Sequence, residues 1–262
     1  MSRAKISAVL ITKNEERNIK RCLDSLKWVD EIVVVDGEST DKTQETAKSY
    51  GAKVIEHRFT GDFGLERNIG NDNATGDWIL ALDADETIPR RTREKIEEIL
   101  KKGSGFDAYN VPRMQYFLGK PLLHGGRYHS IINFFRKGRA TFEGKVHHLV
   151  KVNGKIGQFE YPIEHRPFNN ISEFIEKQNR YTRYEALEMY EKFKDTLLKE
   201  ARHNLTFKPL KLFFKSYFKK KGYKDGVIGL VFCILFSWRH FLIWAKYWEL
   251  CQVRPYNPAK IF

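Results

Sequence analysis

The sequence predicts an α/β protein, in which a doubly wound and mostly parallel sheet is followed by a helical C-terminal extension. Over the first hundred residues, short apolar runs alternate with helical patterns. These runs are apolar throughout, which is typical of strands in a parallel sheet that helices cover on both faces. Beyond residue 165 the helical patterns follow one another without strands between them.

The strands and helices of the first part alternate in a regular order. The first apolar run precedes a helical pattern over 15–26 that Asn14 can cap, and the second precedes a short helix that begins at Ser39. The predicted parallel strands are 6–12, 31–36, 52–56 and 79–82. Later patterns predict strands at 109–118 and 131–136, then helices at 172–193 (capped by Ser172), from about 210, and at 227–250.

These patterns divide the chain into two parts. We expect residues 1–165 to form one domain, with halves at 1–105 and 106–165, and residues 166–262 to form a helical, basic extension. The N-terminal apolar run is short and no small-residue cleavage site follows it, so we interpret it as a strand rather than a secretory signal. A cytoplasmic location is therefore expected.

The composition excludes several classes of protein. Of the 262 residues, 42% are hydrophobic and 14% aromatic, which is more than a disordered chain contains. No window holds the roughly 20 uncharged apolar residues of a membrane span, which argues against a multi-span membrane protein. The three cysteines form no CxxC pair, so we expect neither a disulfide framework nor a zinc site.

The positive charge is concentrated near the C-terminal end. Residues 201–262 contain 12 Lys and Arg against 2 Asp and Glu, whereas residues 1–200 contain 34 against 31. Such an asymmetry indicates an anionic partner, either nucleic acid or phospholipid headgroups.

The strongest chemical motif is a pair of carboxylates directly after the fourth strand. Asp83 and Asp85 are one residue apart and are followed by Glu86. Two carboxylates at the carboxyl end of a strand can together bind Mg²⁺ or Mn²⁺, which prefer oxygen ligands and often bind substrate phosphates as well. The alternative is an acidic surface loop.

Two further polar clusters follow the first and second strands. Because ligands bind at the carboxyl ends of parallel strands, we expect Thr12, Glu15, Asp36 and Asp83 to line one crevice. Carboxylates there can accept hydrogen bonds from a nucleoside. Asn14 and Ser39 have an alternative role as helix caps, whereas no cap requirement explains Asp36.

An arginine lies between these clusters and the Asp pair. The guanidinium of Arg67 offers a rigid fork of donors to diphosphate oxygens. Its alternative role is a surface ion pair with Glu66 or Asp62.

Four stretches across residues 5–90 together resemble a known family. They are AVLITKNEERNIKRCLDSL, EIVVVDGESTDKT, ERN and GDWILALDADE. In this order and spacing they resemble the nucleotide-sugar glycosyltransferases of family 2, which have the type A (GT-A) fold. HGGRYHSIINFFRKG, FEGKVHH, NRYTRYEA and KDGVIGL are similar to the bacterial branch that contains lipopolysaccharide inner-core glucosyltransferases.

The resemblance implies an inverting transfer of a sugar from a nucleotide diphosphate to an acceptor hydroxyl. It suggests UDP-glucose as the donor and a heptose of the lipopolysaccharide core as the acceptor. The residues it implies for the nucleotide sugar, in the 1–105 half, are Thr12, Asn14, Glu15, Asp36, Ser39, Arg67 and Asp83. Asp83 and Asp85 would also serve a divalent metal, Mn²⁺ or Mg²⁺. The 106–165 half would face the acceptor.

The general base is left open among three residues. Relatives in this branch usually read VHE where this chain has Val146-His147-His148. His148 can replace that glutamate because histidine titrates near neutrality, and Glu143 or Glu86 are the alternatives. His147 is a candidate third metal ligand, unless both histidines are structural or bind the acceptor. The candidate acceptor-binding residues are His124, Arg127 and Arg136.

The C-terminal extension has features of a membrane-interface segment. Leu210, Phe213, Phe214 and Tyr217 recur at spacings of three and four, with lysines between them. The later run VIGLVFCILF is interrupted by Arg239, His240 and Lys246, so we interpret it as too short to span. Residues 207–250 are therefore expected to lie on the anionic cytoplasmic face of the inner membrane. The alternative is packing on the catalytic domain.

Two other functions compete with glycosyl transfer. A nucleic-acid-binding protein would explain the basic tail but not the carboxylates at the strand ends, so no nucleic-acid partner is expected. A nucleotidyltransferase that acts on a sugar phosphate would share the acidic metal ligands. That class usually begins with a Gly-rich phosphate loop, and ITKNEER contains no glycine.

Overall fold

The computed structural model describes residues 3–126, 129–144 and 149–252. The chain folds into two compact units. Unit 1 contains residues 1–115 and 128–167, and unit 2 contains residues 116–127 and 168–262.

A twisted, mostly parallel sheet forms the centre of unit 1, with the strand order β3-β2-β1-β4-β8-β6-β12-β5. The strands along the chain are β1 Ile6–Thr12, β2 Glu31–Asp36, β3 Lys53–Glu56, β4 Trp78–Asp83, β5 Glu86–Thr87, β6 Ala108–Phe117, β7 Lys120–Pro121, β8 His129–Arg136, β9 Ala140–Glu143, β10 Leu149–Val152, β11 Ile156–Gln158 and β12 Ile163–His165. Strands β3, β2, β1 and β4 are parallel, and β8 is antiparallel to both β4 and β6. Strands β9 and β10 form a separate hairpin.

Among the described residues, four helices belong to unit 1 and three longer ones to unit 2. They are α1 Glu16–Asp24, α2 Thr43–Ser49, α3 Phe63–Asn73, α4 Arg90–Lys102, α5 Ile171–Phe193, α6 Leu198–Phe214 and α7 Gly226–Gln252. A π-helical turn over Lys215–Lys219 and a 3₁₀ turn over Gly222–Asp225 connect α6 to α7. The predicted α/β class, with a mostly parallel sheet and C-terminal helices, is confirmed.

The alternation of side chains along β1 explains why its run is apolar throughout. Ile6, Ala8 and Leu10 belong to one buried cluster, whereas Val9 belongs to a second cluster on the other side of the sheet. Consecutive strand residues point to opposite faces, so a strand covered on both faces must be apolar at every position. Burial on both faces fixes the register of β1, and with it the end of the strand at Thr12.

Three expected helix caps differ in the structure. The side chain of Asn14 does not cap α1; it accepts a hydrogen bond from the backbone N–H of Thr40. Ser39 lies four residues before the start of α2 and contacts Asp36 instead. Helix α5 is capped by Asn170, whose side chain accepts from Glu173 N, rather than by Ser172. The side chains of Asn14 and Ser39 thus hold the loops that follow β1 and β2, and both loops belong to the predicted crevice.

Unit 2 has its own apolar core. Phe117, Phe174 and Phe232 pack edge to face, with ring centroids 5.1–6.4 Å apart. Farther along α7, the hydroxyl of Tyr247 donates to the carbonyl of Lys194 at 2.6 Å. Helix α6 begins at residue 198, earlier than the predicted start near 210, and continues through Pro209.

Helix α7 is longer than its sequence pattern predicted. The helical stretch Gly222–Gln252 is long and apolar enough to cross a membrane, by length and composition alone. The expectation that this run is too short to span was therefore wrong. Part of the helix faces protein, because Phe232, Trp244 and Tyr247 are buried in the clusters of unit 2.

Candidate functional site

The carboxyl ends of the parallel strands lie along one edge of the sheet in unit 1. Thr12 at the end of β1 pairs in register with Asp36 at the end of β2, and Asp36 with Glu56 of β3. On the other side of β1, Ile11 pairs with Asp83 at the end of β4. The structure thus brings Thr12, Asp36 and Asp83 to the same edge, where an open α/β sheet binds its ligands.

Asp36 organises the part of this edge formed by β1 and β2. Its side chain is fully buried and accepts four hydrogen bonds of 2.7–2.8 Å. The donors are the Thr12 and Ser39 hydroxyls, the Ser39 backbone N–H and the Gln44 amide. A carboxylate has about four lone-pair sites, so these donors use its full capacity. Asp36 therefore fixes the β2–α2 loop against β1.

The β1–α1 loop is tied to the same structure. Asn14 has a positive φ of 55°, and its backbone N–H donates to the Ser39 hydroxyl at 2.8 Å. The carboxylate of Glu15 accepts from the side-chain amide of Asn18 at 2.8 Å. Asn14, Glu15 and Ser39 are thus brought together at the predicted crevice.

Asp83 lies between two arginines. Arg67 of α3 is 2.5 Å from one carboxylate oxygen, and Arg113 of β6 is 2.8 Å from the other. Burial opposes ionisation of Asp83, but the two guanidinium charges lower its pKa to about 2. The alternative that Arg67 makes a surface ion pair with Glu66 or Asp62 is wrong, because Arg67 is buried against Asp83.

Glu86 supports this cluster from inside the protein. It is 1% exposed; its Oε2 accepts from the backbone N–H of Asp83 at 2.8 Å, and its Oε1 lies 2.6 Å from Nε of Arg113. A general base must come within hydrogen-bond reach of the proton that it removes. Because both oxygens are engaged inside the protein, the geometry assigns Glu86 to positioning Asp83 and Arg113 rather than to proton transfer.

Asp85 pairs with a histidine that the sequence analysis missed. Nε2 of His165, at the end of β12, lies 3.2 Å from Oδ1 of Asp85, and Nδ1 is 2.8 Å from the side-chain oxygen of Gln115. Burial lowers the pKa of His165, and the Arg113 charge lowers it further. The neutral imidazole, the form that binds metals, is therefore favoured.

Asp83, Asp85 and His165 together could hold a metal ion. One potential ligand atom from each lies within 4.8 Å of the other two. Two carboxylates and a neutral imidazole suit Mn²⁺, and the carboxylates suit Mg²⁺. Gln115 fixes the tautomer that leaves Nε2 of His165 available, as residues behind metal-binding histidines commonly do. The donor set therefore fits the predicted cofactor.

Neither His165 nor Arg113 carries a local sequence signal. His165 ends a three-residue strand, and Arg113 lies in the middle of a strand whose partners are distant in sequence. Strand β12 pairs with both β5 and β6, and this pairing brings both residues to the acidic cluster. Only knowledge of the strand order could have found them.

The other predicted residues are distributed as follows. Glu143 ends β9, is half exposed and pairs with Lys151 at 2.8 Å. Its neighbour Phe142 lies under the guanidinium of Arg67, 5.5 Å from ring centroid to Cζ, so β9 ends close to the acidic cluster. His147, His148 and Arg127 lie outside the described residues.

Arg136 is not brought to this edge. It pairs in register with Trp78, the first residue of β4, whereas Asp83 is the last. Its guanidinium lies over the Trp78 ring at 4.8 Å and donates to the carbonyl of Ser104. Arg136 therefore packs at the opposite end of the strand. His124 lies in unit 2, where its Nδ1 is 2.7 Å from Asp225.

Comparison with known proteins identifies the family. The model of the family described as glycosyl transferase family 2 matches residues 7–155. An uncharacterized glycosyltransferase of Rickettsia felis is 31% identical, with 92% of this chain and 89% of that protein covered. The chain is thus a glycosyltransferase, and the acidic, arginine-rich strand edge of its α/β sheet is the candidate site. The chain belongs to glycosyl transferase family 2.

Two other similarities extend over most of the chain. The lipopolysaccharide core biosynthesis glycosyltransferase LpsC of Rhizobium meliloti is 26% identical, with 93% of this chain and 92% of that protein covered. The structure of S. aureus TarS 1–349 in complex with UDP aligns with a TM-score of 0.49 and 15% identity, covering 94% of this chain and 91% of that one.

The buried carboxyl of Glu86 predicts a specific pH dependence of stability. Burial raises its pKa to about 7, although Arg113 opposes the shift. A raised carboxyl pKa stabilises the folded state below the ordinary value, and this contribution is lost as the pH rises through the folded value. Relative to Glu86→Gln, the wild type should lose up to about 3 kcal/mol of unfolding free energy between pH 4.5 and 8. Urea unfolding in chelator measures this difference.

A matched variant, Glu94→Gln, removes a solvent-exposed carboxylate of α4. It should leave the pH dependence of the wild type unchanged. Parallel pH profiles for the wild type and Glu86→Gln would show that Glu86 is ionised throughout this range.

Proposed function

We propose that the protein is an inverting glycosyltransferase that uses a UDP-hexose, with UDP-glucose as the first candidate. The acceptor proposed is a hydroxyl of the lipopolysaccharide core or of another cell-envelope glycan. One observation carries the proposal: Asp83, Asp85 and His165 converge at a strand edge where two arginines also lie. Such a set of groups suits a diphosphate with a divalent cation, and the family membership adds the transfer of a sugar.

The arginines give this site its affinity for a diphosphate. Guanidinium groups bind phosphate oxygens through two parallel hydrogen bonds. Arg67 and Arg113 each form an ion pair with Asp83, so both guanidinium groups lie beside the proposed diphosphate position. A divalent cation held by Asp83, Asp85 and His165 would neutralise negative charge on the departing diphosphate. His147, the third ligand expected from the sequence, lies outside the described residues.

The nucleoside part of the donor is proposed to lie over the neighbouring strand ends. Thr12, Asn14, Glu15, Asp36 and Ser39 form one hydrogen-bonded loop structure there. Because Asp36 already accepts four hydrogen bonds, its main contribution is to fix these loops. This arrangement pre-forms the binding surface, which reduces the entropy lost when the nucleotide binds.

A general base is needed to take the proton of the acceptor hydroxyl during attack on the anomeric carbon. Glu143 and His148 remain the proposed candidates for this base. Glu143 is half exposed at the end of β9, and its partner Lys151 is a solvent-exposed side chain that can release it. His124 and Arg127 are kept as proposed acceptor contacts.

The acceptor class is supported by a relative rather than by geometry. The name of the Rhizobium meliloti relative assigns it to lipopolysaccharide core biosynthesis, and the two chains align over nearly their whole lengths. A transferase that acts on such a glycan meets an acceptor anchored in a membrane. An enzyme that itself binds the membrane would meet such an acceptor more often, and unit 2 is proposed below to provide that binding.

The proposed reaction predicts metal-dependent release of UDP from a UDP-sugar. Among a panel of nucleotide sugars with Mn²⁺ present, UDP-glucose should be hydrolysed slowly without acceptor. The Asp85→Ala and His165→Ala variants should lower both this release and the affinity for Mn²⁺ by about 100-fold or more, and Gln115→Leu by about 10-fold. Coupled assays of UDP and Mn²⁺ titrations measure the two quantities.

Asp72→Asn is the matched control, because Asp72 is an exposed carboxylate of α3 in the same unit. It should behave as the wild type. Full UDP release by Asp85→Ala, or by the wild type in excess chelator, would contradict the metal-dependent reaction.

We also propose that unit 2 binds the cytoplasmic surface of an anionic membrane. The face of α6 and the following π-helical turn exposes Phe207, Leu210, Phe214 and Phe218, each more than half exposed. Their spacing of three or four residues places them on one side of the helix. This aromatic face differs from the predicted one, because Phe213 and Tyr217 stack on each other at 5.4 Å.

Exposed lysines surround this aromatic face. Lys219, Lys220 and Lys221 follow it directly, and all three are exposed. An apolar face rimmed with basic side chains is typical of helices that lie in a membrane interface. Each basic residue near an anionic surface adds about 1 kcal/mol of attraction. The protein is therefore proposed to be peripheral at the inner membrane, with residues 207–250 as the contact.

Membrane binding should depend on anionic lipid and on salt. The triple variant Lys219→Glu, Lys220→Glu and Lys221→Glu should sediment less with phosphatidylglycerol-containing vesicles, while UDP release in solution is unchanged. Binding of the wild type should fall as salt rises, because the Debye length shrinks from about 10 Å at 0.1 M to about 3 Å at 1 M. Part of the binding should remain at high salt, because salt does not screen the burial of the aromatic side chains in the membrane interface.

The control replaces Lys48, Lys101 and Lys155, three exposed lysines of unit 1, with Glu. It should sediment as the wild type does. If the wild type did not sediment with anionic vesicles at low salt, the proposed membrane binding by unit 2 would be wrong. If it resisted extraction at alkaline pH, α7 would span the bilayer instead.

A further inference from the structure

A histidine–glutamate pair lies beside the nucleoside edge and has no role in the steps above. Nδ1 of His57 is 2.7 Å from Oε1 of Glu66. His57 directly follows β3, and its backbone N–H donates to the carbonyl of Asp36 at 2.9 Å. Glu66 lies in the first turn of α3, next to Arg67. The pair therefore lies between the Asp36 loop and the arginine of the acidic cluster.

The burial of Glu66 needs an explanation. Its side chain is only 4% exposed, and burial raises the pKa of its carboxyl, although His57 opposes the shift. The second oxygen, Oε2, has no hydrogen-bond partner among the described residues. A buried carboxylate destabilises the fold unless a partner compensates. Nδ1 of His57 lies within hydrogen-bond distance of its other oxygen, Oε1.

This contact determines which nitrogen of His57 is available. When the carboxylate is ionised it accepts only, so Nδ1 of His57 carries the proton and donates it to Glu66. The neutral ring then keeps a lone pair on Nε2. The His57 side chain is 34% exposed, and its two nitrogens point in different directions. With Nδ1 donating to Glu66, Nε2 is the ring nitrogen that remains to accept a hydrogen bond.

The segment that begins with His57 lies over the ends of β1 and β2. A Cβ atom on Gly37 would be 3.1 Å from Cβ of Phe59 and 3.3 Å from Cδ of Lys13, so glycine permits this close approach. The ammonium of Lys13 lies 5.6 Å from the centroid of the Phe59 ring. His57 is thus fixed at the same edge as Thr12 and Asp36.

Asp36 is poorly suited to distinguish one nucleobase from another. All of its acceptor capacity is used by Thr12, Ser39 and Gln44. A base edge that approached it would have to displace one of these donors. Nε2 of His57 has no such competitor among the described residues, so it is the better-placed acceptor on this edge.

We propose that His57 reads the nucleobase of the donor by accepting a hydrogen bond at Nε2, and that Glu66 is the residue that positions it. The inference rests on the proposed use of a nucleotide-diphosphate sugar and adds the basis of its choice of base. An acceptor at this point favours a base with an N–H donor, such as uracil at N3. It disfavours cytosine, whose N3 is itself an acceptor.

The test compares the affinities of the full-length protein for UDP and CDP, each with Mn²⁺, by calorimetry. The wild type should prefer UDP. His57→Leu should reduce this preference by about tenfold, mainly through weaker UDP binding, because one base-edge hydrogen bond is lost. His203→Leu removes an exposed histidine of α6 and should keep the wild-type preference.

Variants of Glu66 test whether it positions His57. Glu66→Gln still offers an oxygen to Nδ1–H, so the preference for UDP should be kept. Glu66→Met fills a similar volume without an acceptor, so the preference should fall although His57 is present. ¹⁵N chemical shifts of the His57 ring should report a proton on Nδ1 in the wild type and in Glu66→Gln, and a mixture of tautomers in Glu66→Met.

The outcomes separate this inference from the proposed function. If the wild type bound neither nucleotide, the proposed donor class would be wrong. If the wild type preferred UDP but His57→Leu kept that preference, or lost UDP and CDP equally, His57 would not read the base. If Glu66→Met kept both the preference and the wild-type tautomer, Glu66 would not position His57. Thermal unfolding of each variant confirms that the compared proteins are folded.

Discussion

The carboxylate of Asp83 is held between the guanidinium groups of Arg67 and Arg113, and the geometry of the site depends on this interaction. Arg67 comes from α3 and Arg113 from β6, so one carboxylate connects a helix and two strands. Glu86 completes the cluster by pairing with Arg113 and the backbone of Asp83. Removing one member of this partly buried cluster leaves a charge without its partner, which destabilises the arrangement. The cluster therefore holds this strand edge in one arrangement.

The parallel strands provide the second constraint. Because β1 is apolar on both faces, its register is fixed, and its end at Thr12 lies beside Asp36 and Asp83. Two hydrogen-bonded groups of side chains result, one centred on Asp36 and one on Asp83. The first is proposed to bind the nucleoside of the donor and the second its diphosphate. His57 and Glu66 lie between them, where the choice of nucleobase is proposed to be made.

The sequence predicted the fold well where local pattern and burial agree. The strands β1 and β2 begin and end as their apolar runs predicted, since a strand buried on both faces admits few polar residues. The predicted caps at Asn14 and Ser39 were wrong because the two residues form hydrogen bonds between the loops after β1 and β2, which are distant in sequence. His165 and Arg113 were missed for the same reason: the strand order, which no local pattern records, brings them to Asp83 and Asp85. The sequence could point to Asp83, Asp85 and Arg67 as candidates because their motifs are local.

Asp83, Asp85 and His165 are proposed to form the metal site at the diphosphate end of the donor. The most direct measurement is an anomalous difference map from crystals grown with Mn²⁺ and UDP. We predict one strong peak at a ligand distance of about 2.0–2.3 Å from these three side chains and next to the β-phosphate of UDP. A peak elsewhere would contradict this metal site. So would UDP bound at this edge with His165 still paired to Asp85 and no manganese between them.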